Sequence, residues 1–139
     1  MTARRYDVVV FGATSFVGQI LTRHLAARAP HDLRWAIAGR GPSKLDAIAA
    51  EARAGVDRIV ADAGDPDAMD RLAESTRVVV STVGPYALYG SLLVEAVARA
   101  GTDYCDLTGE PQWMRAMIDA HHDTAVSARA PIVHPCGVD

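Results

Sequence analysis

The sequence predicts an α/β domain built on a doubly wound parallel sheet of six strands in the order 3-2-1-4-5-6. Four observations lead there. Short apolar runs alternate with stretches of helical periodicity through the whole chain. Each helical stretch is long enough to be a crossover, and right-handed crossovers between parallel strands cover such a sheet on both faces. The first run, "YDVVVF", leads straight into the loop "GATSFVG", which carries a glycine at each end. Finally, 139 residues, half of them hydrophobic and 22% charged, match one globular domain with a single core.

The elements follow in order. Val8 to Phe11 is a β-branched run that reads as a buried first strand. Val17, Ile20, Leu21, His24, Leu25 and Arg28 then fall on one helical stripe, which stops before Pro30. "LRWAIAG" is the second strand, and the helix after it turns Leu45, Ile48, Ala49 and Ala52 inward, with Gly55 placed to end it. "DRIVAD" is the third strand. Asp65 caps the next helix, Pro66 takes its first position, and Ala68, Met69 and Leu72 face the core. "RVVVSTVG" is the fourth strand, followed by a helix from Ser91 to Ala100 closed by Gly101. "TDYCDL", the helix "PQWMRAMIDAHHDTAVSARA" and "PIVHP" complete the alternation.

Composition excludes several functions. A net charge of -3 gives no basic field, and no aromatic-basic interleaving offers a platform for bases, so nucleic acid is not an expected partner. No segment approaches the ~20 apolar residues of a membrane span, and "MTARRYD" is not followed by an apolar stretch of signal length; the expectation is a cytosolic chain. Cys105 and Cys136 lie far apart without metal or disulfide spacing and read as reduced thiols. A nucleophilic Cys136 would need His134 as its base. Pro135 interrupts the strand that would align them, which favours a packing role. His121 and His122 point about 100° apart on a helix and cannot form an i, i+4 ligand pair, so no metal is expected.

In a doubly wound sheet, ligands bind at the carboxyl ends of the strands where the order reverses. The glycine loop occupies that place. Gly12 permits the tight turn off the first strand, and Gly18 lets helix and strand approach closely. Gly12, Thr14, Ser15, Phe16, Val17 and Gly18 therefore form the predicted diphosphate cradle of a dinucleotide site, with the amides of Ser15, Phe16 and Val17 aimed at the anion. The spacing is G-x-x-S-x-x-G, so Ser15 stands where a middle glycine is usual, and its hydroxyl is expected to donate to a phosphate oxygen.

The second strand selects the dinucleotide. An NAD site places an acid about 20 residues on, for the ribose hydroxyls. None occurs between Asp32 and Asp46; "AGRGPSK" offers Arg40, Ser43 and Lys44 instead. Cations beside a helix amino terminus suit a 2′-phosphate, with charge-assisted bonds of roughly 1.5–3 kcal/mol each, so the predicted cofactor is NADP. The alternative reading of Lys44 is a solvated helix residue. Asp62, after the third strand, either accepts from the adenine amino group or caps a turn before Gly64. Thr82, Val83, Gly84 and Pro85 leave the fourth strand beside the nicotinamide half.

"GATSFVG", "AGRGPSKL", "VVSTVGPYALYGSLLVEAVARAGTDYCDLTGE" and "HPCGVD" together resemble the saccharopine dehydrogenase-like family, and in particular its trans-acting enoyl reductases of complex lipid biosynthesis. The similarity runs the length of the chain. It implies a Rossmann cofactor domain over residues 1–139, with NADP as cofactor, and a substrate domain that lies outside these residues and would hold a small-molecule or acyl-lipid substrate. It carries Gly84, Pro85 and Tyr86 over as cofactor-side residues. Tyr86 has a phenol pKa of about 10 and no helix-spaced lysine, a poor fit to a Tyr-Lys proton relay, so no catalytic residue is assigned. Asp106 and Glu110 of "DLTGE" read as a buried acid and a helix cap, with Thr108 the other candidate cap. A regulatory dinucleotide-binding module is the alternative to an oxidoreductase. A cofactor domain parted from its neighbour would expose apolar surface, so self-association is also expected.

Overall fold

The computed structural model describes residues 3–52 and 56–136, and among them it forms the predicted sheet. Six strands, β1 (Tyr6–Phe11), β2 (Trp35–Gly39), β3 (Asp57–Val60), β4 (Thr76–Ser81), β5 (Asp103–Asp106) and β6 (Ile132–Val133), run parallel in the order β3-β2-β1-β4-β5-β6. The helices are α1 (Phe16–Arg28), α2 (Pro42–Ala52), α3 (Pro66–Ser75), α4 (Tyr86–Tyr89), α5 (Ser91–Ala100) and α6 (Pro111–Ala128). The order reverses between β1 and β4, where Val10 pairs with Ile37 on one side and Val80 on the other.

Strand alternation divides the core. Val9, Phe11, Val79 and Tyr104 face α3, α5 and α6, while Val10 and Ile37 face α1 and α2. Val9, Val10 and Val79 are wholly buried, and each such side chain contributes roughly 1.5–3 kcal/mol. Asp65 caps α3 as predicted, accepting from the amides of Asp67 (3.0 Å) and Ala68 (3.3 Å), and Gly101 ends α5 in the left-handed conformation. Among the described residues no helix is long and apolar enough to cross a membrane.

Four readings change. The buried line of α1 is Gly18 and Thr22, flanked by half-buried Leu21 and Leu25; Val17, Ile20, His24 and Arg28 are exposed. Close contact with β1 selects the small residues, because a Cβ on Gly18 would overlap the Gly12 carbonyl oxygen and lie 2.8 Å from Ala13 Cα. The strand predicted as "PIVHP" shortens to two residues. The last helix stops at Ala128, where Arg129 turns left-handed (φ 57°). A short helix, α4, forms in "YALY", where none was predicted. The placement of Gly55 as a helix end falls outside the described residues.

Candidate functional site

A cleft of about 300 Å³ opens at the carboxyl ends of β1, β2 and β4, at the switch point. Its lining brings together Gly12, Thr14, Ser15, Arg40, Asp62, Thr82, Val83 and Gly84 from the predicted set, with Tyr89 added. Gly12 makes the first turn at φ +90°, and a Cβ there would come within 2.7 Å of both Thr82 Oγ1 and Val83 Cγ2. Only glycine satisfies both the backbone angle and the space.

The cradle works through backbone, and Ser15 plays a different part from the one expected. Its hydroxyl accepts from the Gly18 amide (3.0 Å) as the N-cap of α1, donates to the Gly12 carbonyl (2.8 Å), and lies 3.1 Å from Thr82 Oγ1. A hydroxyl has one proton to give, and in this arrangement the Ser15 hydroxyl spends it on holding the loop. The Ser15 amide is also used, donating to Gly12 O at 3.0 Å. The amides of Phe16 and Val17 have no acceptor among the described residues, as the first turn of a helix requires, and they remain for an anion. Their side chains lie outside the cleft lining, Phe16 80% exposed.

After β2, Arg40 is exposed on the cleft and forms no ion pair or hydrogen bond among the described residues. Ser43 and Lys44 stand exposed on the first turn of α2, beyond the residues that line the cleft. Asp62 lines the cleft while its carboxylate accepts from the Gly64 amide (2.8 Å), the turn-capping alternative. One carboxylate oxygen still carries lone pairs for an amino group.

The opposite wall departs from expectation. Tyr86 lies next to the site in sequence but is buried, and neither it nor Pro85 lines the cleft. Its phenol donates to the Ser81 carbonyl (2.8 Å) and accepts from the Leu107 amide (3.2 Å), tying β4 to the end of β5. Burial pushes the phenol up to about 12, the Leu107 bond opposing and the nearby carboxylates of Asp106 and Glu110 adding to the rise. An acid this weak, turned away from the cleft, is no proton donor for a substrate there.

The residues present fit a phosphorylated dinucleotide: a glycine cradle without Cβ atoms, two orphan amides at a helix terminus, and an unpaired guanidinium after β2. The family model of the saccharopine dehydrogenase NADP binding domain matches residues 8–133. The chain belongs to that family. NADP is therefore its cofactor.

Relatives within reach of this family domain include a Mycobacterium tuberculosis protein provisionally named as a trans-acting enoyl reductase, 46% identical over 99% of this chain and 33% of its own length. A trans-acting enoyl reductase of Mycobacterium ulcerans is 42% identical over 98% of this chain and 33% of its own length. The chain thus spans a third of the curated relatives it matches. Among solved structures, saccharopine dehydrogenase (L-Glu forming) of Saccharomyces cerevisiae superposes with a TM-score of 0.74 over 91% of this chain and 26% of that one, at 23% identity. A Citrobacter triphenylmethane reductase complexed with NADP(H) does so with a TM-score of 0.67 over 91% and 47%, at 18% identity. At these identities the two structures show the fold.

Within the saccharopine dehydrogenase NADP-binding domain, the "DLTGE" block proves to be a brace. Asp106 is wholly buried and accepts from Tyr104 Oη (2.8 Å), the Thr108 amide (3.1 Å) and the His134 ring at Nδ1 (2.6 Å). Burial, reinforced by that carboxylate, drives the Tyr104 phenol far above its ordinary range. His134 is thus engaged with Asp106, and the Cys136 thiol rests 3.9 Å from the Val133 carbonyl, in keeping with packing. Burial likewise raises the Cys105 thiol to about 11. Thr108 receives the Glu110 amide (3.1 Å). Glu110 does not cap its own helix: its carboxylate accepts from the amides of Tyr86 (2.7 Å) and Ala87 (3.0 Å), at the start of α4.

Sequence reasoning missed Tyr89 as a wall of the cleft. The signal was present in "PYALYG", where a proline at the N-cap and a glycine three residues after Ala87 bracket a single helical turn that carries Tyr89 to the cleft edge.

Proposed function

We propose that this chain is the cofactor half of an NADP-dependent oxidoreductase, of the trans-acting enoyl reductase type, acting on an acyl-lipid or related enoyl substrate held by the rest of the protein. One observation carries the reading: the family's NADP cleft, with a free Arg40 at its adenosine end, lies in a chain 42–46% identical to a third of proteins named for enoyl reduction. When bound, the reduced nicotinamide supplies a hydride. Gly12 and Gly18 let the backbone approach the diphosphate, the Phe16 and Val17 amides offer it donors, and Arg40 pairs with the 2′-phosphate. Gly84 and Tyr89 form the wall on the nicotinamide side. Saturating a carbon–carbon double bond also needs a proton at the neighbouring carbon. Tyr86 is turned into the sheet, so that proton is assigned to solvent or to a residue outside this chain.

The test is consumption of NADPH by the full-length protein with an enoyl thioester of long acyl chain. Stoichiometric conversion of the enoyl to the saturated acyl product supports the reading. Tight NADPH binding without turnover on any enoyl substrate would instead leave a regulatory dinucleotide module.

A further inference from the structure

The amino terminus of α4 presents a problem that its own residues cannot solve. Its N-cap is Pro85, which has no side-chain acceptor, so the amides of Tyr86 and Ala87 would be orphaned. The acceptor arrives from another element: both amides donate to the two carboxylate oxygens of Glu110, at the entrance to α6. Around this contact the same two segments meet again. The Tyr86 phenol bonds Ser81 O and the Leu107 amide, the Tyr86 and Trp113 rings pack at a 32° tilt with centroids 5.3 Å apart, and Trp113 Nε1 donates to Ser91 Oγ (3.0 Å). Gly84 immediately precedes the clamp and Tyr89 closes α4, and both line the cleft.

We propose that Glu110 is the positioning residue for the nicotinamide half of the cleft, setting from α6 where Gly84 and Tyr89 stand when NADP binds. The inference rests on the cofactor reading above and deepens it. A charged acceptor serving two backbone donors is the strongest link between the two segments, and it acts on the cofactor only through the wall it holds. Among the described residues Glu110 shares no hydrogen bond or ion pair with Arg40 or the loop from Gly12 to Gly18, so the adenosine half is independent of Glu110.

Two ligands separate the halves. Adenosine 2′,5′-bisphosphate reaches only the Arg40 side, whereas NADPH spans both. In the full-length protein, Glu110→Ala is expected to weaken NADPH about tenfold or more by calorimetry while 2′,5′-bisphosphate binding stays within about twofold. Glu110→Gln keeps one acceptor oxygen and should fall between. The fluorescence of the reduced nicotinamide should move toward that of the free cofactor in the same order. Equal weakening of both ligands, which general loss of structure would produce, overturns the proposal, as does an unchanged NADPH affinity. Failure of the unsubstituted protein to bind the bisphosphate overturns the cofactor reading and this inference with it, and it shows before any substitution is made.

Discussion

On the Arg40 side of the cleft, a ligand meets groups left without partners among the described residues: a guanidinium and the amides of Phe16 and Val17. On the Tyr89 side it meets a wall whose amides and phenol are bonded to one another across β4, β5 and the entrance to α6. The difference teaches that the two halves recognise by separate means. The first offers charge and donors, and on the proposed function a single side chain there, Arg40, selects one dinucleotide over another. The second supplies shape, so its residues act through position and their removal shows first as lost order.

The comparison can be broken most severely at the base of the first half. Gly18→Ala places a Cβ against the backbone of Gly12 and Ala13, which cannot retreat without moving β1. The expected cost is about 3 kcal/mol in urea unfolding, with loss of binding for both NADP and NAD. A variant of unchanged stability would show that the cradle yields. Arg40→Ala sharpens the contrast. It should weaken NADP about tenfold or more by calorimetry while leaving NAD and the midpoint of unfolding unmoved, since Arg40 has no partner among the described residues. Equal loss for both dinucleotides would place the 2′-phosphate elsewhere.

The second half should answer oppositely, in stability. Tyr86→Phe removes a buried hydroxyl with two partners and is expected to cost about 1 kcal/mol, with no change in the preference between NADP and NAD. The pH dependence follows from the raised phenol. A tyrosine with a folded pKa of about 12 against 10.0 unfolded contributes stability fully present below pH 10 and lost as pH rises toward 12, because only the unfolded chain ionises readily in that window. Tyr86→Phe should therefore flatten the alkaline fall of stability measured between those values. An identical alkaline slope in both proteins would mean that the phenol is not held as described.

The strand order and most helix limits were legible because their causes are local: period, caps such as Asp65 and the left-handed Gly101, and the handedness of crossovers. The place of Arg40 was legible for the same reason, since it follows β2 directly and lines the cleft. Errors arose where a partner lies far along the chain or where small residues carry a face. Ser15 was read as a phosphate donor because its neighbours Gly12, Gly18 and Thr82 close around it only in three dimensions. Glu110 was assigned to the helix that follows it, although the amides it serves belong to α4. The stripe on α1 was drawn through its large apolar residues, whereas close approach to β1 favours Gly18 and Thr22. Tyr86 was placed in the site by the family resemblance of "VGPY"; its burial depends on β5, which no local pattern reveals.

The knot formed by Ser15 Oγ, Thr82 Oγ1 and the Gly12 carbonyl has a thermodynamic consequence. A glycine-rich loop that had to order around its ligand would spend roughly 1–2 kcal/mol per residue on backbone freedom at the moment of capture. Here two hydroxyls from the two halves of the sheet settle that cost during folding, across the point where the strand order reverses. Cofactor exchange can then proceed on a surface already shaped, with encounter limited by diffusion and orientation more than by rearrangement of the loop.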